Sequence, residues 1–273
     1  MSFTNDLRHG MGYEGAGAAS GIGPSDIIWN QFRRDFGTKL VRGVEFDFTE
    51  GGSFTTAGSN FGINTYQDTG VTLNGSATLD NGLEVAGNDA DNDEGVIGGV
   101  GNIATISDTA SESRLLAFEA CVSKASIADN GLAFFVGLCE SGVVGANALA
   151  DNTGAVADKD LIGFHCDQAD GDAIDAIYQK SGQTAQVVKA GAQVPVADTF
   201  YKLGFVYDPA AANDRKVTFY IDGTDIGSYV TATNIAAATF PDSEDLTWIF
   251  ATKVGAAAEV IAHLRWVRVA QYR

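Results

Sequence analysis

The chain has 273 residues, 17 Lys plus Arg against 35 Asp plus Glu, a formal net charge of −18, 33 Gly and only 4 Pro. Hydrophobic residues make up 45%, enough for a packed core, so the charge does not imply wholesale disorder. No basic surface is available to displace phosphate counterions, which argues against direct nucleic-acid binding, and no apolar run approaches the roughly 20 residues of a membrane helix.

The first residues, MSFTNDLRHGMG, lack the apolar core of a secretory signal, so the mature chain is expected to begin where it is made. Residues 1–24 are Gly- and Ala-rich and show neither helical nor strand period, which predicts an extended arm held by contacts with its own body or with a partner chain. After Pro24, Ser25 and Asp26 are placed to cap a short helix with Ile28, Trp29, Phe32 and Phe36 on one side. From about Val41 the pattern turns to β. Short apolar or alternating runs are bounded by Gly, Asn and Asp, and no long amphipathic helix occurs.

The runs are VEFDF at 44–48, GVTL at 70–73, GLEVA at 82–86, LLAFEACVS at 115–123 and LAFFVGLC at 132–139. LIGFHCD at 161–167, AIDAIYQ at 173–179, AQVVKA at 185–190, YKLGFVYD at 201–208 and KVTFYID at 216–222 continue the series. DIGSYV at 225–230, LTWIFATKV at 246–254 and VIAHLRWVRVAQY at 260–272 complete it. In YKLGFVYD, Leu203, Phe205 and Tyr207 share one face, the alternation of a strand in a two-layer sandwich. An arm over 1–40 followed by one all-β, jelly-roll-like domain over 41–273 is the expected organisation.

The charge is unevenly spread. Residues 43–113 hold twelve acids and no Lys or Arg, whereas the last thirteen residues hold Arg265, Arg268 and Arg273 and no acid. The body is therefore acidic, and both ends are neutral to basic. Cys121, Cys139 and Cys166 are odd in number, lack CxxC spacing and sit inside apolar runs, the pattern of buried free thiols in a reducing compartment.

The segment 200–229 reads as a strand ending in Tyr207–Asp208, a polar excursion, and a strand ending at an Asp222–Gly223 turn into the next strand. It resembles the paired strands of laminin-G-like and concanavalin-A-like lectin/glucanase jelly rolls, and LRWVRVAQY is similar to their final strand. More narrowly, the runs over 115–142 and 160–182 with the 200–229 segment resemble a jelly-roll domain of tailed-phage virion proteins. That resemblance implies a capsid decoration or cement protein on the virion surface, made in the host cytoplasm. Its implied partners are the major capsid protein and neighbouring copies of itself, in a homo-oligomer whose arm clasps an adjacent subunit. A carbohydrate-binding, lectin-like module that takes a glycan, with or without Ca²⁺, is the alternative.

Glu45, Asp47 and Glu50 in VEFDFTE match E-x-D-x-x-E. In the related retaining glucanases such carboxylates share one face of a strand, and the resemblance would make Glu45 the nucleophile, Asp47 its tuner and Glu50 the acid/base. Three features count against catalysis: the motif opens the domain instead of following several core strands, no Trp-rich segment lies upstream, and 35 acids make the spacing easy to meet by chance. A non-enzymatic protein is expected. In the loop NDADNDEG, Asp89, Asp91 and Asp93 alternate as oxygen ligands of one Ca²⁺ would. However, Gly95 comes one place late and Val100 stands where an EF-hand has its bidentate Glu. Asp167, Asp170, Asp172 and Asp175 form a second, weaker acidic stretch. His9, His165 and His263 lie in no ligand cluster, and the latter two are expected to pack or hydrogen-bond within strands. Trp248 and Trp266, at strand spacing, are expected in the core.

Overall fold

The computed structural model describes residues 23–32, 40–48, 62–75, 81–87, 91–125, 127, 131–167, 173–255 and 260–273. These hold fifteen strands and two one-turn helices. In chain order they are α1 (Asp26–Trp29), β1 (Val41–Asp47), β2 (Ile63–Gln67), β3 (Thr72–Gly75), β4 (Leu83–Gly87), β5 (Glu94–Gly99), β6 (Leu116–Lys124) and β7 (Leu132–Glu140). They continue with β8 (Leu161–Cys166), β9 (Ile174–Gln179), β10 (Gln186–Gln193), β11 (Tyr201–Tyr207), β12 (Val217–Ile221), β13 (Thr224–Val230), α2 (Ala232–Ile235), β14 (Leu246–Val254) and β15 (Val260–Tyr272).

The strands form two antiparallel sheets. Sheet A runs β13-β12-β11-β6-β15-β4-β3, with β1 also on β15; sheet B runs β10-β9-β8-β7-β14-β5-β2. Period-2 alternation decides what lies between them. Leu116, Phe118, Ala120 and Val122 of β6 and Leu203, Phe205 and Tyr207 of β11 point inward against Phe134, Phe164, Trp248 and Phe250 of sheet B. The all-β jelly roll expected from the sequence is the observed fold.

Each of the thirteen expected runs overlaps a strand, and β14 and β15 have the expected bounds. Asp222 (φ 51°) and Gly223 (φ 75°) make the β12–β13 turn in the left-handed region, as the Asp-Gly pair predicts. The structure adds β2 and β5. In β2, Asn64, Thr65 and Gln67 leave only Ile63 buried, so the apolar signal is too thin to see. In β5, Gly95, Gly98 and Gly99 read as a loop, but a Cβ on Gly95 would lie 2.5 Å from Val85 Cγ1 and one on Gly98 2.6 Å from Val144 Cγ2. Close packing requires glycine there. Helix α2 was also unforeseen; Thr231 caps it by accepting the Asn234 N–H at 3.1 Å.

Both outer faces are partly covered. Ile28, Trp29 and Phe32 pack over Val41, Ala117, Val206 and Ala270 on sheet A, as the apolar side of the expected helix requires; Phe36 lies outside the described residues. On sheet B, Val143, Ala148 and Leu149 from the β7–β8 connection cover Phe135, Ile177 and Ile249. Residues 1–22 and 33–39 of the expected arm lie outside the described residues.

Candidate functional site

The long strand β15 organises the polar outer face of sheet A. Val260–Leu264 pairs with β4 and Trp266–Tyr272 with β1, while β6 runs along the other side with a register shift between Leu264 and Trp266. Arg265 is the extra residue of that bulge. The Phe48 N–H donates to its carbonyl at 2.9 Å, and Gly82 (φ +77°) passes so close that a Cβ would stand 2.6 Å from the Arg265 Cα. The end of β1 and the start of β4 therefore meet at the bulge.

Register then sets side chains in rows. Gly204, Glu119, Arg268 and Glu45 form one row across β11, β6, β15 and β1. Lys202, Cys121, Trp266 and Asp47 form the next, and Ser123, His263 and Glu84 a third beyond the bulge. Glu45 and Asp47 share this outer face as their spacing predicts; Glu50 lies outside the described residues. Glu45 forms an ion pair with Arg268, so its carboxylate is already engaged.

Glu119 is fully buried. It accepts the Ser25 backbone N–H at 3.0 Å and the Trp29 indole N–H at 2.7 Å. Burial is the main cause that raises its pKa, opposed by those hydrogen bonds and by Lys202. Ser25 starts α1 by position, but its side chain makes no capping bond; the cap expected there is replaced by the grip of Glu119 on its backbone. Lys202 Nζ donates to the Gly23 carbonyl at 3.2 Å, Tyr272 Oη to the Gln31 carbonyl at 3.0 Å, and the Arg268 guanidinium lies 5.0 Å from the Trp29 ring centroid. The described part of the arm thus docks on the chain's own sheet. In the third row, His263 Nδ1 lies 3.3 Å from Ser123 Oγ and Nε2 3.5 Å from Glu84, with burial the main cause lowering its pKa. Arg265 stacks at 4.4 Å over the Phe200 ring.

The structure describes only part of the expected Ca²⁺ loop. Asp89 lies outside the described residues. Asn92 (φ 69°) donates its N–H to the Val254 carbonyl and the Val254 N–H donates to the Asp93 carbonyl, both at 2.9 Å, so Asp91–Asp93 are strapped to the end of β14. Among the described residues no three His, Cys, Asp or Glu side chains converge as metal ligands. The charged centre of this corner is Glu94, which the sequence reading passed over. It is buried and accepts the Leu149 and Asn147 N–H groups at 2.7 and 2.6 Å. Buried Lys253 sits 4.0 Å from it, 2.6 Å from Asp151 and 3.0 Å from the Leu149 carbonyl. An ammonium is the cation here.

Of the remaining sequence candidates, Asp175 and His165 bond within the fold. Asp175 accepts the Gly191 N–H at 2.7 Å beside the β9–β10 bulge, and Asp170 and Asp172 lie outside the described residues. His165 Nε2 is 2.8 Å from the Gly154 carbonyl and ties down the β7–β8 connection. Trp248 and Trp266 are buried, as are the three free thiols. Glu119 and Lys253 share one sequence signal that could have exposed them, a single charge inside an apolar strand run, whereas Glu94 is hidden as the last acid of an acidic loop.

No protein-family model and no curated protein matches the sequence. Solved structures do match in shape. Peanut lectin, 17% identical, aligns over 84% of this chain and 97% of its own with a TM-score of 0.52. The carbohydrate recognition domain of Emp47p, 11% identical, aligns over 84% and 94% with a TM-score of 0.53. A Shewanella oneidensis MR-1 protein of unknown function, 16% identical, aligns over 85% and 87% with a TM-score of 0.51. At such identities the likeness concerns the backbone alone. The chain folds as a jelly-roll sandwich of the lectin, concanavalin-A-like type.

Proposed function

We propose that this protein is a non-enzymatic structural module that docks on a protein surface of an assembled particle, in the manner of a capsid decoration protein on a virion. One observation carries the reading. Among the described residues the exposed large apolar side chains are all aliphatic, and no described aromatic residue is exposed. Three of them, Val187 (55% exposed), Val194 (65%) and Val196 (57%), fall within ten residues at the edge strand β10 and the segment after it. This stretch is also exceptional in charge: between Asp175 and Asp198 the chain has Lys180 and Lys189 but no acid. Register shifts on both sides of Lys189 and a left-handed Gly191 (φ 57°) bend β10, which obstructs addition of a further strand and favours docking through side chains. Exposed valines on a segment with no acid of its own suit a protein partner, either the major capsid protein or a neighbouring copy.

A particle-bound copy would stabilise the shell by binding only the assembled state. Density-gradient fractionation of a source lysate, with immunogold labelling of the particle fraction, tests this. Co-migration with virion-sized particles and surface label are expected, both lost in Val187→Asp/Val194→Asp. A chain confined to the soluble fractions overturns the proposal.

Glycan recognition is the second reading. It is favoured by the partly exposed carboxylates Glu45, Asp47 and Glu84 that line one face of sheet A, on a fold shared with peanut lectin and a carbohydrate recognition domain. A glycan-array signal abolished by Asp47→Ala would establish it.

A further inference from the structure

We infer that Lys124 and Cys166 form an oxidative cross-link that staples sheet A to sheet B. Lys124 is the last residue of β6 and Cys166 the last of β8, both buried, in different sheets at the same end of the sandwich. Lys124 Nζ lies 3.4 Å from Cys166 Sγ and donates to the Leu132 carbonyl at 2.9 Å. The carbonyl fixes the amine over the sulfur, so two groups with complementary redox chemistry are held in contact.

The other two thiols mark the contrast. Burial pushes the Cys121 thiol up to about 12 and the Cys139 thiol well up too, and neither has a lysine nitrogen within hydrogen-bond distance among the described residues. Of the three sulfurs, the one at Cys166 thus has a nitrogen beside it to trap the sulfenic acid that peroxide forms.

The chemistry needs one equivalent of hydrogen peroxide. First the Cys166 thiol takes one oxygen atom, giving a sulfenic acid and one water. Then Nζ attacks the sulfur, the S–O bond breaks, and a second water leaves as the S–N bond of a sulfenamide forms. The ammonium form of Lys124 releases one further proton to solvent. Sulfur is oxidised by two electrons and peroxide is reduced by two. Sulfenic acids condense with nitrogen in this way. The strand ends are where local opening admits a reagent little larger than water.

The test is peroxide treatment of the full chain, then peptide mapping under non-reducing conditions. The expected product is a peptide pair joined through Lys124 and Cys166, about 2 Da lighter than the two free peptides together and released by thiol reductant. The oxidised protein is also expected to melt at a higher temperature, reverting on reduction, because the cross-link restricts the unfolded chain. Cys139→Ala keeps both effects, and Lys124→Met loses them. Oxidation of Met1 or Met11 in the same digest shows that the reagent acted. Recovery of Cys166 as an unlinked thiol or sulfinic acid from such a sample overturns the inference, whether or not the variants fold.

Discussion

Glu119 and Trp29 stand 90 residues apart in the chain, yet the indole N–H of one meets the buried carboxyl of the other at 2.7 Å. A four-residue helix has no stability of its own. Helix α1 exists because Ile28, Trp29 and Phe32 fill the outer face of sheet A while Glu119 and Lys202 hold the backbone at Ser25 and Gly23.

Trp29→Ala is therefore expected to lower stability by about 3–5 kcal/mol and to speed proteolysis within residues 23–32. Urea denaturation and limited proteolysis of both proteins measure this. An unchanged midpoint with unchanged cleavage would mean that α1 contributes nothing to the fold.

The same carboxyl makes stability depend on pH. Burial raises its pKa above the ordinary 4.5, so the folded chain keeps a proton that the unfolded chain has released. Between the two values the native state binds more protons, and stability falls as pH rises. The contribution is complete below about 4.5 and is lost as pH climbs through the folded value. Glu119→Gln retains an acceptor for Trp29 and removes the titration. Its melting temperature should gain steadily on the wild type as pH rises above 4.5; parallel melting curves would show that Glu119 titrates alike in both states.

At the other face, Lys253 faces Glu94 with both side chains almost fully buried. Lys253→Met leaves Glu94 without its nearest cation and should cost about 3–5 kcal/mol, because an unpaired buried charge is worse than none. Glu94→Gln in the same chain should recover part of that loss, read by urea denaturation; strictly additive losses would show that the two charges are not coupled. Since the ammonium already occupies this corner, excess Ca²⁺ or a chelator should leave the melting temperature of the wild type unchanged. A clear upward shift with Ca²⁺ would support the Asp89, Asp91 and Asp93 site.

How far these features could be read in advance depends on where their partners lie. Strands β14 and β15 announce themselves because their burial is continuous over all nine residues of β14 and over residues 262–271 of β15. The shared face of Glu45 and Asp47 follows from alternation alone. Strand β5 does not show itself, because its glycines serve contacts with Val85 of β4 and Val144 of the β7–β8 connection. Nor does any local pattern join Glu45 to Arg268, 223 positions later, or tell that the charge inside LLAFEACVS holds a helix. Only the sheet register brings those groups together.

That register also decides the fate of the E-x-D-x-x-E motif. A nucleophile needs a carboxylate free to attack, but Glu45 is paired with Arg268 directly across β1 and β15. The same guanidinium lies against Trp29, so moving it would disturb the α1 contacts as well. Glu45 is expected to be a structural anion. Glu45→Gln should cost about 1 kcal/mol of stability, in line with a partly exposed pair, and neither it nor the wild type should release reducing sugar from β-glucans. Hydrolysis by the wild type that disappears in Glu45→Gln would overturn this assignment and make the face an active site.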